Sequence, residues 1–126
     1  MIKGLITVFI ISVLIFPLSG VSAYNEKLKI TGTTRSMGNL IAHNDYIYVD
    51  YVIGSRGERL KIGDIIAIKS VKGNTIHRII DMGTDNKGPY WITKGDNNTV
   101  DDSGWLGKVR RHAIKGIIVK IDKAKS

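Results

Sequence analysis

The sequence predicts a small, mainly β domain carried on a single N-terminal membrane-spanning helix. Three observations lead there. Residues 4–23 hold no charged side chain and are mostly Ile, Val, Leu and Phe. Beyond them, short runs of alternating apolar and polar residues recur between Gly-rich breaks, the pattern of half-buried strands. No stretch after residue 23 keeps the apolar spacing of an amphipathic helix.

The chain has 126 residues, which allows one domain and an appendage. The expected division is 1–23 as membrane anchor and 24–126 as β-rich domain. At helical rise, residues 4–23 span about 30 Å, the thickness of a bilayer core. A helix of a soluble core would show a polar face, and this segment has none. A cleaved leader is the alternative, because Val21-Ser22-Ala23 places small residues where a leader peptidase would cut. The apolar run exceeds the roughly 7–15 residues of a leader's hydrophobic region, which favours an uncleaved anchor. Lys3 precedes the segment and Lys27 and Lys29 follow it, so flanking charge constrains orientation little.

The strands follow in order. Leu28 to Thr31, Tyr46 to Val52 and Ile76 to Ile80 alternate, and Tyr90-Trp91-Ile92 is β-prone. Asp64 to Lys69 is mostly apolar, as suits a strand buried on both faces. Ala113 to Ile121 forms the last candidate. Breaks fall at Gly54 to Gly57, Gly63, Gly73-Asn74 and Gly83 to Gly88. Trp91 and Trp105 suit either the small core or the membrane interface.

Composition excludes several chemistries. With no cysteine there is no disulfide, thiolate metal site or cysteine nucleophile. His43, His77 and His112 are too scattered for a metal-ligand pattern, so neither metal nor cofactor is expected. The net charge is +8 and the pI about 9.8, which favours anionic partners. The basic residues are dispersed apart from Lys108 to His112, and no recognition helix accompanies them. A solvated basic face near a membrane fits this better than nucleic-acid readout.

Thr93 to Asp102 is the stretch richest in chemistry. Three carboxylates and two carboxamides fall within the seven residues from Asp96 to Asp102. Alone this is an Asx-rich loop. With Ser36-Met37 and His77-Arg78 upstream, each beside strand-like sequence, the chain holds a nucleophile, a base and acids that orient the base. That is the inventory of a hydrolase triad, which is recognised by roles and not by chain order. Serine needs an adjacent base to become nucleophilic. Imidazole titrates ordinarily near working pH, whereas a lysine base must first lose its charge through burial. Lys94 is the competing base, and its acidic neighbours work against it.

Four elements stand in order: Ser36-Met37, Gly63-Asp64-Ile65-Ile66, His77-Arg78-Ile79-Ile80, and Gly95-Asp96-Asn97-Asn98 followed by Asp101-Asp102. Together, behind an apolar N-terminus, they resemble signal peptidase I. The similarity is to the branch of archaea, the endoplasmic reticulum and some Gram-positive bacteria, in which histidine replaces the catalytic lysine. The resemblance runs from the anchor to Ile114-Lys115-Gly116-Ile117 and departs at Gly38-Asn39, where the family follows Ser-Met with a variable residue and proline.

The resemblance implies a signal-peptidase-like β catalytic domain and a serine endopeptidase that removes signal peptides from exported preproteins. Ser36 is then the nucleophile, its backbone amide an oxyanion donor, and His77 the general base. Asp96 and Asp102 both match functional aspartates of the family. Asp102 is the expected catalytic partner, while Asp96 serves catalysis or fixes the loop through backbone amides. Asp101 reads as a solvated residue, Asp64 as a turn residue, and His43 and His112 as surface residues. Arg78 is expected to pair with a carboxylate or lay its stem on the sheet.

The implied partners are the lipid bilayer and preproteins with small residues at the last and third-last positions before the cut. The implied location is a single-pass cell-membrane protein with an extracytoplasmic catalytic domain. Accessory subunits are not specified by the sequence. Two other readings compete: an impaired member of the same fold, suggested by Gly38-Asn39, and a secreted basic β-domain that binds polyanions.

Overall fold

The computed structural model describes residues 24–125. The expected anchor and its possible cleavage site lie outside the described residues. Among those residues, no helix is long and apolar enough to cross a membrane.

Six strands form one antiparallel sheet: β1 (Glu26–Lys29), β2 (Tyr46–Asp50), β3 (Ile65–Ser70), β4 (Gly73–Asp85), β5 (Gly88–Lys94) and β6 (Ile114–Asp122). Their spatial order is β1-β2-β6-β3-β4-β5. The last strand therefore enters the middle of the sheet and joins β2 to the β3–β4–β5 meander. Helix is confined, among the described residues, to two 3-10 turns, Asp102–Gly104 and Arg111–Ala113. The mainly β class read from period-two patterning is what the chain forms.

Both faces of the sheet are covered, as the Ile65–Ser70 strand shows. Ile66 and Ile68 join a cluster with Ile53, Leu60, Ile79 and Trp91. Ile65 and Ala67 point the other way, against Met37, Ile41, Ile47, Val49 and Ile118. Alternation along one strand thus divides the core in two. Each fully buried aliphatic side chain contributes about 1.5–3 kcal/mol. Trp91 lies in the core at 1 % exposure, which decides between its two expected places.

Several element bounds differ from the sequence reading, each for a local reason. β1 begins and ends two residues earlier than the Leu28–Thr31 alternation. β2 stops at Asp50, whose carboxylate caps the Val52 N–H at 2.8 Å in place of a ladder bond. β4 runs on through Gly83 to Asp85, past the expected break. Gly83 faces Tyr90 across the ladder, and a Cβ there would stand 2.6 Å from the Tyr90 hydroxyl. This glycine makes room for a ring and does not end the strand.

Candidate active site

The Ser36 loop, residues 30–45, crosses from β1 to β2. Two overlapping turns shape it, Gly38 N–H to the Arg35 carbonyl at 2.9 Å and Leu40 N–H to the Met37 carbonyl at 3.2 Å. Met37, 3 % exposed, sinks into the second cluster and so pins its neighbour Ser36 against the sheet. Arg35, just before the serine, has φ 65°. That left-handed backbone is uncommon for a residue with a Cβ and costs about 1–3 kcal/mol. Ser36 is thus presented from a strained bend whose following residue is anchored.

The acidic loop docks onto this bend. The Asn97 N–H donates to the Ser36 carbonyl at 2.7 Å, and its side-chain amide donates to the Arg35 carbonyl at 3.2 Å. Gly95 is required where the loops touch, because a Cβ would lie 2.6 Å from the Ser36 carbonyl oxygen.

His77 comes from β4, where it pairs with Ile66 and shares its face with Ile79. It is 4 % exposed. Its Nε2 stands 2.9 Å from Ser36 Oγ, and its Nδ1 stands 2.6 Å from Asp102 Oδ2. If Nδ1–H donates to the carboxylate, Nε2 presents a lone pair to the serine hydroxyl.

Asp102 opens the first 3-10 turn and is 1 % exposed. Beside His77, Thr93 Oγ1 donates to Oδ2 at 2.6 Å and Trp105 Nε1 donates to Oδ1 at 3.2 Å. Three side-chain partners, none of them Lys or Arg, therefore satisfy a buried carboxylate, as burial demands. No salt bridge to Lys or Arg reaches it among the described residues.

Asp96 is not brought to the imidazole by any hydrogen bond. Arg78 grips it in a bidentate pair, Nε to Oδ1 at 2.9 Å and Nη2 to Oδ2 at 2.8 Å. The hydrogen bond from Arg78 holds the Asp96 carboxyl below the usual carboxylate range, against an opposing push from burial. The expected bonds to loop amides are replaced by this cross-link to β4. Arg78 also donates to the Gly63 carbonyl at 2.8 Å, tying the acidic loop to the turn before β3. Of the two expected roles for Arg78, the carboxylate pair is the one formed.

Asp101 is no idle solvated residue. It caps the 3-10 turn, accepting from the Ser103 N–H at 2.9 Å and the Ser103 hydroxyl at 2.6 Å, and so orients Asp102. Asp64 closes its turn by accepting from the Lys61 N–H at 3.0 Å. His43 and His112 are exposed. Lys94 Nζ donates to the Gly95 carbonyl at 3.1 Å, with no hydrogen bond to Ser36 or His77. Trp105 is exposed at 37 %, outside both core clusters, and its indole N–H serves Asp102.

Thr93 and Trp105 escaped the sequence reading. Thr93 had a signal, since it stands two residues after core Trp91 and so faces inward as well. Trp105 had none beyond its closeness to Asp102.

At Gly38-Asn39 the chain is held without proline. Gly38 takes φ +61°, which suits glycine in the second turn. The Lys123 ammonium bonds the carbonyls of Asn39 and Leu40 and the Asp45 carboxylate. Lys123, followed by the Ala42 and Ala124 amides, lowers the Asp45 carboxyl to about 2. The end of the described chain thus clasps the segment behind Ser36.

Ser36 and His77 line a cleft of about 1040 Å³, and Asp102 is buried behind them. Ile47, Val49, Ala67 and Ile76 give it an apolar floor, and Ser36 and His77 stand in its wall. Among the described residues no group of three or more His, Asp or Glu could hold a metal ion. No protein-family model matches the chain, and a search among curated proteins returns no match.

Proposed function

We propose that the chain is a membrane-anchored serine endopeptidase of the signal peptidase I type. In this reading it cuts signal peptides from exported preproteins on the extracytoplasmic side of the membrane. One observation carries the proposal: Ser36, His77 and Asp102 form an unbroken hydrogen-bonded line, 2.9 and 2.6 Å per step, at the wall of an apolar cleft.

The chemistry follows from that line. His77 Nε2 takes the Ser36 hydroxyl proton as Oγ attacks the scissile carbonyl carbon. Asp102 keeps the imidazole in the Nδ1–H form and stabilises the imidazolium that forms. The Ser36 N–H, which meets no acceptor among the described residues, supports the role of oxyanion donor. His77 then gives its proton to the leaving amine. Water, deprotonated by the same nitrogen, hydrolyses the acyl-serine and restores the enzyme.

The polyanion-binding alternative draws less support. The one local basic cluster, Lys108 to His112, is largely spent internally, with Lys108 and Arg110 paired to Asp85 at 2.9 and 2.8 Å. Arg111 donates to the Gly54 carbonyl at 2.7 Å.

Detergent-purified full-length protein incubated with a preprotein tests the proposal. Expected is a single cut after a small residue, absent with Ser36→Ala. No cut, or equal cutting by both, would contradict it.

A further inference from the structure

The cleft has a floor and a rim of different character. The floor is apolar, while the rim carries Lys29, Lys72 and Lys115 against a single acid, Glu26. Glu26 is engaged, since its carboxylate accepts the Tyr51 hydroxyl. Neither Lys72 nor Lys115 forms a salt bridge among the described residues. The cleft therefore presents three exposed cations, none in a salt bridge among the described residues, against the one carboxylate of Glu26.

Lys72 and Lys115 are each placed by a specific feature. The ladder between β3 and β6 pairs Ala67 with Gly116 and Ile68 with Ile114, so Lys115 is the extra residue of a β-bulge. A bulge re-aims the side chain it adds, and Lys115 lines the cleft as a result. Lys72 stands at the tip of the β3–β4 hairpin with its ammonium 4.2 Å from the centre of the Trp105 ring. The ring attracts the cation through its π face, while the indole N–H of the same residue holds Asp102. Lys72 is thus fixed next to the catalytic line and not left free in solvent.

Resting on the endopeptidase reading, we propose that the cleft selects peptide segments with an acidic side chain near the bond presented to Ser36. Lys72 and Lys115 are the residues that read it. Complementary charge of this kind raises the encounter rate and favours one register of the peptide. An exposed ion pair contributes about 0.2–1 kcal/mol, so the preference at one position is up to about fivefold in affinity. It weakens as salt screens the pair.

The test measures binding, so that it does not depend on turnover. Full-length Ser36→Ala protein in detergent is titrated at low salt with fluorescent peptides spanning a cleavage site. The peptides carry Glu or Gln at successive positions. Expected is at least one position where the Glu peptide binds about threefold to fivefold more tightly. The advantage shrinks with Lys72→Gln or Lys115→Gln. It inverts when both lysines are changed to Glu, which then favours a Lys peptide. A ratio near one at every position, a preference untouched by charge reversal, or no binding of any peptide would overturn the inference. Wild-type cleavage of the same peptides reports on the peptidase reading separately: selective binding without any cut would contradict that reading alone.

Discussion

Asp96 and Asp102 sit six positions apart on one loop, and the fold treats them in opposite ways. Asp102 is 1 % exposed and held by His77, Thr93 and Trp105, with no Lys or Arg among its partners in the described residues. Asp96 is exposed and gripped by the permanent charge of Arg78. A carboxylate already matched by a guanidinium has little left for an imidazolium that appears only during a reaction. One without a guanidinium partner is left to meet it. Local sequence favoured Asp102 but did not show the different partners; those supplied by β4, β5 and the 3-10 turn separate the two residues.

The largest predicted difference tests that separation directly. Asp102→Asn is expected to lower turnover by about 10⁴-fold, because the amide cannot hold the Nδ1–H tautomer. Its melting temperature should change little. Asp96→Asn should do the reverse, with turnover within about tenfold of wild type and a lower melting temperature. Arg78→Met should match Asp96→Asn in stability, and the double variant should be hardly worse than either, since one interaction is lost in each case. Turnover on a preprotein and thermal unfolding, measured on all four proteins, check the pattern. A full-speed Asp102→Asn enzyme would move the catalytic role to Asp96 or Asp101.

Smaller effects sharpen the picture of Asp102. Thr93→Val removes one donor at nearly constant shape, and Trp105→Phe removes another. A hydrogen bond to a charged group contributes about 1.5–3 kcal/mol, so each change is expected to slow turnover by about tenfold or more. Wild-type rates in both variants would show that His77 alone orients the carboxylate.

A third carboxylate extends the comparison to stability. Asp45 has its pKa lowered from 3.8 to about 2 in the folded protein, chiefly by Lys123. A depressed folded pKa stabilises the fold above the unfolded value, and that contribution disappears as pH falls through the folded value. Asp45→Asn should therefore lower the melting temperature at pH 7, by an amount that shrinks between about pH 4 and pH 2. A deficit independent of pH would place the effect in packing and not in charge. Lys123→Met should show the same trend and also slow turnover, because it frees the segment behind Ser36. The smallest expected change is in Lys94→Met, whose rate should stay within about twofold of wild type, since Lys94 bonds only the Gly95 carbonyl and neither Ser36 nor His77.

Much of this was legible in the sequence, though unevenly. Period-two alternation exposed the strands because burial on a sheet obeys the pleat. That Ser36, His77 and the acidic loop would meet could be expected because the triad proposed here draws on few residue types, and the three are joined by hydrogen bonds. Gly83 misled, since a break and a space for the Tyr90 ring look alike without the cross-strand partner. The division of labour between Asp96 and Asp102 was only partly visible: Arg78 and Thr93 stand 18 and 9 positions from the residues they serve, and their facing is set by strand register. The Lys123 clasp joins positions about eighty residues apart, and no local pattern marks such a contact.

The most direct test of the central claim is a non-additivity measurement on the proposed nucleophile and base. Single-turnover cleavage of a preprotein is followed for wild type, Ser36→Ala, His77→Ala and the double variant. If Ser36 and His77 act as one unit, each single change removes nearly all activity, by about 10⁶-fold in the best-studied triad, and the double variant is hardly slower than either. Losses that multiply in the double variant, or wild-type rates with Ser36→Ala, would contradict the account.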